Sequence, residues 1–332
     1  MTVASEHLRR KLGIWSVGAF LSIAGLTVAS PVIAQGYPNR PIRLVVPYPA
    51  GGPSDVVARP LAEFISKDLG QAVVVFNRAG ADTILGADMA AKAAPDGYTL
   101  VLLGDSGIVN TASGRKLPYD LEKDLTPVSM AYSGPQVLMV SKDSQFKNLQ
   151  DMVRFAKANP TKVTFAGFGG ASAVTLSSEA FNQAAGIDAL QVSYRGMAAA
   201  QMDLIGGRID YILGGTTAAI PAIAGGKVRG LAIMSKQRSP LLADVPTAIE
   251  QGVNVETAGW FGIFATAGSP PDAIRTVHAS MMRALESKVV SETYQKQGGS
   301  PMPMSPEQFQ AFLRSELQRL GVLMKRLDIK FD

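Results

Sequence analysis

The 332-residue sequence contains no cysteine and only two histidines, His7 and His278. Without disulfides, the fold must rest on hydrophobic cores of adequate size. With so few imidazoles and no thiolates, only carboxylates could hold a metal, and no Asp-x-Asp-x-Asp loop is present. Asp120, Glu122 and Asp124 do cluster, but at a spacing that reads as a solvated turn, so no metal and no cofactor is expected. Gly-x-x-x-x-Gly-Lys-Ser/Thr and Gly-x-Gly-x-x-Gly are both missing, which leaves nucleotide binding without support. No run of basic residues is interleaved with aromatics, so nucleic acid is not an expected partner.

What is present begins with a leader pattern. Arg9-Arg10-Lys11 is a basic stretch, Leu12 to Val28 is mostly apolar, and Val32-Ile33-Ala34 precedes Gln35 with the small-residue pattern of a cleavage site. Residues 1–34 therefore read as a signal peptide, and the remainder as an exported, periplasmic protein. The paired arginines permit a twin-arginine route, although their surroundings match that motif poorly. Removing Arg9, Arg10, Lys11 and Glu6 from 32 basic and 27 acidic residues leaves 29 and 26, a net charge of +3. That balance supports a mild attraction for anions and nothing stronger.

Beyond the leader, apolar runs of strand length alternate with helix-patterned segments. Strands are expected at 42–48, 72–77 and 99–104, with helices at 54–69 and 84–93 between them. A second, similar block has strands at 136–140, 163–166, 190–194, 211–213 and 230–234. Its helices fall at 149–158, 173–185 and 198–206. A strand at 262–265 and helices at 271–287, 288–298 and 306–327 complete the chain. The runs are continuous rather than alternating, which predicts parallel sheet covered on both faces. An α/β fold of two lobes, each a mainly parallel sheet flanked by helices, fits better than one sheet of ten or more strands.

Catalytic signatures fail on context. Gly104-Asp105-Ser106-Gly107 matches the tetrapeptide around the nucleophile of trypsin-like proteases, but those are all-β proteins. No Gly-x-Ser-x-Gly elbow occurs, and His278 lies inside a helix pattern, Ala273 to Leu285, as a partly exposed helix residue. The chain is not read as an enzyme.

The recurring feature is a glycine-rich loop between a strand and a helix. Tyr48-Pro49-Ala50-Gly51-Gly52-Pro53-Ser54-Asp55 follows the first strand. Arg78-Ala79-Gly80-Ala81-Asp82 follows the second, Phe168-Gly169-Gly170-Ala171-Ser172 precedes the helix at Ala173, and Tyr194-Arg195-Gly196 precedes that at Ala198. The first N–H groups of a helix lack partners and carry the positive end of its dipole. Glycine lets a carboxylate reach them with no Cβ in the way. Micromolar affinity is about 8 kcal/mol, and each hydrogen bond to a charged group gives roughly 1.5–3 kcal/mol. Four or five such bonds plus burial of the ligand body reach that value without a lysine. In open α/β sheets these loops gather beyond the carboxyl ends of the strands, so a carboxylate held by backbone amides is the expected ligand.

The sequence resembles the periplasmic solute-binding proteins of tripartite tricarboxylate transporters, also called Bug receptors. The matching segments are Tyr37-Pro38-Asn39-Arg40-Pro41-Ile42, Gly51-Gly52-Pro53-Ser54-Asp55 with Ala58-Arg59, Pro95-Asp96-Gly97-Tyr98-Thr99-Leu100 and Tyr194-Arg195-Gly196. Asp203 to Asp210, Asp244-Val245-Pro246-Thr247 and Gly259-Trp260-Phe261-Gly262 also match, so that the resemblance runs from about 37 to 326. It implies a type II-like binding protein whose ligand lies between two lobes: 35–133 with 258–332, and 134–257. The chain would cross near Ser133 and Ala258. It further implies that residues 48–55 and 168–172 grip a carboxylate, with Asp210 and the Gly214-Gly215 turn near the same cleft. Ser106, after the third strand, joins this set.

Two positions depart from the family pattern. Asp82 stands where glycine is common, and reads as a helix N-cap, or else as a group that repels a second carboxylate or accepts from a ligand hydroxyl or ammonium. Arg195 stands where lysine is frequent; it either grips a distal carboxylate or pairs with a surface acid. Asp55 is either a ligand contact or a first-turn acid of its helix. Tyr48, Phe168 and Trp260 near the cleft would suit an aromatic acid such as terephthalate, although Trp260 reads first as core. The expected function is capture of a di-, tri- or aromatic carboxylate by a monomer and its delivery to membrane permease subunits. A sensor-kinase output and an α/β enzyme acting on a small acid are the rival readings.

Overall fold

The structure is a computed structural model, and it describes residues 36–168, 172–194 and 196–326. The expected signal peptide, residues 1–34, lies outside them. Residues from Gly36 onward form one compact unit. In chain order its elements are β1 (Ile42–Val46), α1 (Pro53–Leu69), β2 (Val73–Asn77), α2 (Ile84–Ala91), β3 (Thr99–Gly104), α3 (Asp105–Ala112) and the single turn α4 (Leu121–Asp124). Next come β4 (Leu125–Ser141), α5 (Leu149–Ala158), β5 (Thr164–Gly167), α6 (Ala173–Ala185), β6 (Leu190–Ser193), α7 (Met197–Ile205), β7 (Ile212–Gly215), α8 (Thr216–Ala224) and β8 (Val228–Ile233). The chain ends with β9 (Ala258–Thr266), α9 (Pro271–Glu286), α10 (Lys288–Gln295), β10 (Ser300–Pro301) and α11 (Pro306–Arg326). Among the described residues no helix is long and apolar enough to cross a membrane.

The continuous apolar runs arise because both faces of each sheet are covered. In β1, Ile42, Leu44 and Val46 pack with α1, α9 and α10 on one face, while Val45 faces a second core under α2, α3 and α11. Strand β3 divides likewise, with Leu100 and Leu102 on the first face and Val101 and Leu103 on the second. The other block repeats this with two further cores on the two sides of β4, β7 and β8.

Strand order in the larger sheet is β10-β4-β9-β3-β1-β2. The pairs β1–β2, β1–β3 and β5–β6 are parallel, as expected. Strands β3–β9, β4–β9, β4–β7, β4–β8 and β4–β10 pair antiparallel. The sheets are thus mixed rather than mainly parallel. The reason is the two strands that carry the chain between the halves of the molecule. β4 runs one way across both halves, and β9 lies beside its first part, from Leu125 to Pro135, in the opposite direction. Beyond that point β4 pairs with β7 and β8, from Gln136 to Ser141. Gly134 stands opposite Gly259 where β9 begins.

Candidate functional site

The first glycine loop is folded by an acid. Asp55 is 5% exposed, and its Oδ2 accepts the Gly51 amide at 2.8 Å and Arg59 Nε and Nη2 at 3.1 and 2.9 Å. Its Oδ1 accepts Asn77 Nδ2 at 2.8 Å, and that nitrogen also lies 3.2 Å from the Tyr48 carbonyl oxygen. Burial alone would raise the Asp55 pKa, but the bonds from Asn77, Gly51 and Arg59 outweigh it and hold the carboxyl below its ordinary value. Of the two readings of Asp55 the first-turn acid holds, with an added role: its carboxylate is spent on the protein.

What the loop turns outward is therefore backbone. Gly51 has φ +78°, and a Cβ there would meet no atom within 4 Å. Gly52 is the N-cap of α1 and Pro53 supplies its first turn without an N–H. The amides of Gly52 and Ser54 bond to no described residue. Ser54 itself is 2% exposed, and its Oγ has no hydrogen-bond partner. An uncommitted hydroxyl and amides at the positive end of a 17-residue helix form a donor set suited to an anion.

Neighbouring loops are drawn against this one. The Tyr48 hydroxyl accepts the Gly104 amide at 3.1 Å and its ring packs edge-to-face on Phe261, which fixes the β1–α1 loop beside the start of α3. Burial pushes the Tyr48 hydroxyl well above its ordinary value, and Asp105 adds to this. Its ring and hydroxyl are thus committed within the protein. Gly86 of α2 comes so near that a Cβ would stand 2.5 Å from Pro47 Cβ and 2.9 Å from the Arg78 carbonyl oxygen. Ser106, in the first turn of α3, uses its amide on Asp105 at 2.9 Å. Asp105 shares a narrow cavity with Ala173, the first residue of α6. The loops after β1, β2 and β3 and the start of α6 are thereby brought together.

The second loop differs from expectation. The N-cap of α2 is Thr83, not Asp82, and makes no side-chain cap bond. Ala81, Asp82 and Thr83 all have positive φ, at 46°, 48° and 77°, so the helix begins one residue later than a capping aspartate would set it. The turn is held from below by Asn110 Nδ2, 2.6 Å from the Asp82 carbonyl oxygen. The Asp82 carboxylate is 78% exposed and 4.0 Å from Arg115 Nη1. Arg78 and Ala79 are exposed, with Gly80 half-buried beside Leu85.

On the other half, Phe168 donates its amide to Thr175 Oγ1 at 3.0 Å, and Ser172 caps α6 by accepting the Thr175 amide at 3.1 Å. Thr175, which the sequence reading passed over, thus anchors both ends of that loop. Gly169, Gly170 and Ala171, and likewise Arg195, lie outside the described residues. The Tyr194 hydroxyl donates to Asp203 Oδ2 at 2.8 Å, and Gly196 is the N-cap of α7. Gly214 is pressed between Met139 and Met197, and Gly215 caps α8. Asp210 is not part of this gathering. Its Oδ2 accepts the Thr164 amide and hydroxyl at 2.8 and 2.9 Å, at the start of β5, whereas Phe168 follows its end. Its Oδ2 ties the start of β5 to the stretch just before β7.

Trp260 is core, 4% exposed and edge-to-face with Phe309 and Phe312. Asp120 caps α4 through the amides of Glu122 and Lys123, and among the described residues no acidic cluster could hold a metal.

A two-lobe α/β fold with helix N-termini gathered at one set of loops defines the class of extracytoplasmic binding proteins. The chain belongs to the tripartite tricarboxylate transporter receptor family, since the profile described as "Tripartite tricarboxylate transporter family receptor" matches residues 57–329. It is 37% identical over 317 residues to Protein BugT of Bordetella pertussis, covering 95% of this chain and 97% of that one. It is similar in structure to R. palustris Rpa4515 with adipate (TM-score 0.79, 30% identity, 87% of this chain and 98% of that one). MatC (Rpa3494) from Rhodopseudomonas palustris with bound malate gives a TM-score of 0.75 at 30% identity, covering 86% and 99%.

Proposed function

We propose that this protein is a periplasmic receptor that captures a small organic carboxylate and delivers it to the permease subunits of a tripartite transporter. The observation that carries this reading is the β1–α1 loop. Its one acid is buried and consumed, leaving amides, a buried unpartnered hydroxyl on Ser54 and open space above Gly51. A site of that kind stabilises negative charge. Similar proteins described with adipate and malate support the ligand class.

In this reading residues 35–133 and 258–332 make the first lobe and 134–257 the second; the change of partners along β4, from β9 up to Pro135 to β7 from Gln136, supports a crossing close by. One ligand carboxylate binds at 49–54, and the loop 168–172 closes on it from the second lobe, beside Gly196 and Gly215. Residues 1–34 direct export and are removed, and the receptor works as a monomer. Closure hides the ligand and creates the surface that the permease reads.

A thermal-shift panel on the purified protein tests this. Aliphatic di- and tricarboxylates, terephthalate and other aromatic acids, and acidic amino acids are compared. A ligand that binds only the folded state raises Tm with concentration. A rise confined to one acid class is expected; no rise with any acid, on protein freed of carried-over ligand, sinks the reading.

A further inference from the structure

The carboxylate at the start of α3 has no part in the capture scheme above. Asp105 lines a cavity of about 30 Å³ together with Val109, Leu176 of α6, Ala258 and Trp260 of β9, and Glu316 of α11. Such a space holds no more than one or two waters. Asp105 Oδ1 accepts the Ser106 amide, and Oδ2 lies 3.8 Å from where a Cβ on Gly259 would stand.

The charged groups around it do not compensate it. From α11 come Glu316 and Arg319, locked together by two bonds of 2.9 and 2.7 Å. The wall from α6 supplies Ala173, Leu176 and Ser177, and that from β9 Ala258 and Trp260, none of them charged. On the loop side the titratable group facing it, among the described residues, is Tyr48, whose hydroxyl accepts the Gly104 amide. Asp105 therefore faces an acid and a cation already engaged. Burial pushes its carboxyl up to about 7; the Ser106 amide opposes this, and the Glu316 charge adds to it.

These walls come from both halves of the molecule, α3 and α11 on one side and α6 on the other. Asp105 is half-buried between them, and parting them would complete its hydration. We propose that Asp105 is a proton-linked latch, in which the seating of α6 against α3 and α11 is coupled to proton uptake by this carboxylate. Acid then favours the approach of the lobes and alkali their separation.

The sign follows from linkage. Parted, Asp105 ionises near the ordinary 3.8; seated, it keeps its proton to about 7. Between those values seating takes up a proton, and its equilibrium constant falls by up to about tenfold per pH unit as pH rises. Above about 7 it is level. The effect on ligand affinity rests on the receptor reading above, whereas the latch itself needs no ligand.

Small-angle scattering of the ligand-free protein between pH 5 and 8.5 tests the latch. The wild-type radius of gyration is expected to increase as pH rises toward about 7 and to level off above it, and that of Asp105→Asn to stay at its compact value throughout. Glu316→Gln should move the wild-type transition to lower pH, because it removes the repelling acid and releases Arg319. Matching profiles in wild type and Asp105→Asn overturn the latch. Should Asp105→Asn fail to fold by circular dichroism, an unshifted midpoint in Glu316→Gln overturns it instead. With adipate and malate as probes, wild-type Kd is expected to weaken about tenfold from pH 6 to pH 8 and that of Asp105→Asn to change little. Equal changes in the two proteins count against the latch. Absence of binding of both probes at every pH leaves the receptor reading to the thermal-shift panel and the latch to the scattering arm, which needs no ligand.

Discussion

Removing the Asp55 carboxylate would leave the Gly51 amide, the Asn77 amide and the Arg59 guanidinium without their common acceptor. Because the group is buried, Asp55→Ala is expected to cost about 3 kcal/mol, read as a fall in Tm of roughly 5–10 °C. The pH sign is fixed by the depressed pKa. The contribution is complete above the ordinary value of 3.8 and is lost as pH falls through the lower folded value. The difference between wild type and variant should therefore shrink only in strong acid, checked by urea melts at pH 7 and pH 3. Gly51→Val separates binding from folding. A Cβ there meets no neighbour within 4 Å, so stability is expected to fall by about 1–2 kcal/mol for a β-branched residue at positive φ. Affinity for a bound acid should drop by roughly thirtyfold or more as amide contacts are blocked. Affinity unchanged by titration calorimetry would remove the loop from the site. From sequence the glycine pair was legible as an amide site, since few other uses require glycine at a strand-to-helix junction. The engagement of Asp55, Tyr48 and Asp210 by the protein itself was not, because a carboxylate or phenol reads the same whether its partners are ligand or protein.

Elements built from continuous apolar runs, such as β1 and β3, were visible because burial on both faces leaves no other composition. Helix α3 was not: Asp105-Ser-Gly-Ile-Val-Asn-Thr-Ala has glycine, β-branched residues and a single strong helix former, Ala112, at its very end. It is helical because Ile108 and Val109 are buried against the core shared with α11. The first half of β4 was hidden by Pro127, Gly134 and Pro135, and α8 by Pro221. Tertiary pairing overrides those local signals. The docking of α11 offers a test at this scale. A Cβ on Gly262 of β9 would stand against the edge of the Phe309 ring, overlapping Cζ, so Gly262→Ala must displace α11 or strain β9. A loss of about 1–3 kcal/mol is expected, with a changed near-ultraviolet circular dichroism signal from Trp260, which packs on the same ring. An unchanged signal and Tm would show that α11 is held elsewhere.

At the scale of the molecule, the two halves share one strand. β4 gives its first part to β9 and β10 and its second part to β7 and β8. If either half unfolded alone, this strand would lose its neighbours over half its 17 residues while the rest stayed paired, a costly junction of exposed backbone groups. The halves should consequently melt together. Scanning calorimetry is expected to show one transition whose van't Hoff and calorimetric enthalpies agree, and amides of β4 on both sides of Gly134 should exchange with solvent at the same slow, global rate. A receptor of two lobes would then be, thermodynamically, a single cooperative unit, and neither lobe could be expressed without the other.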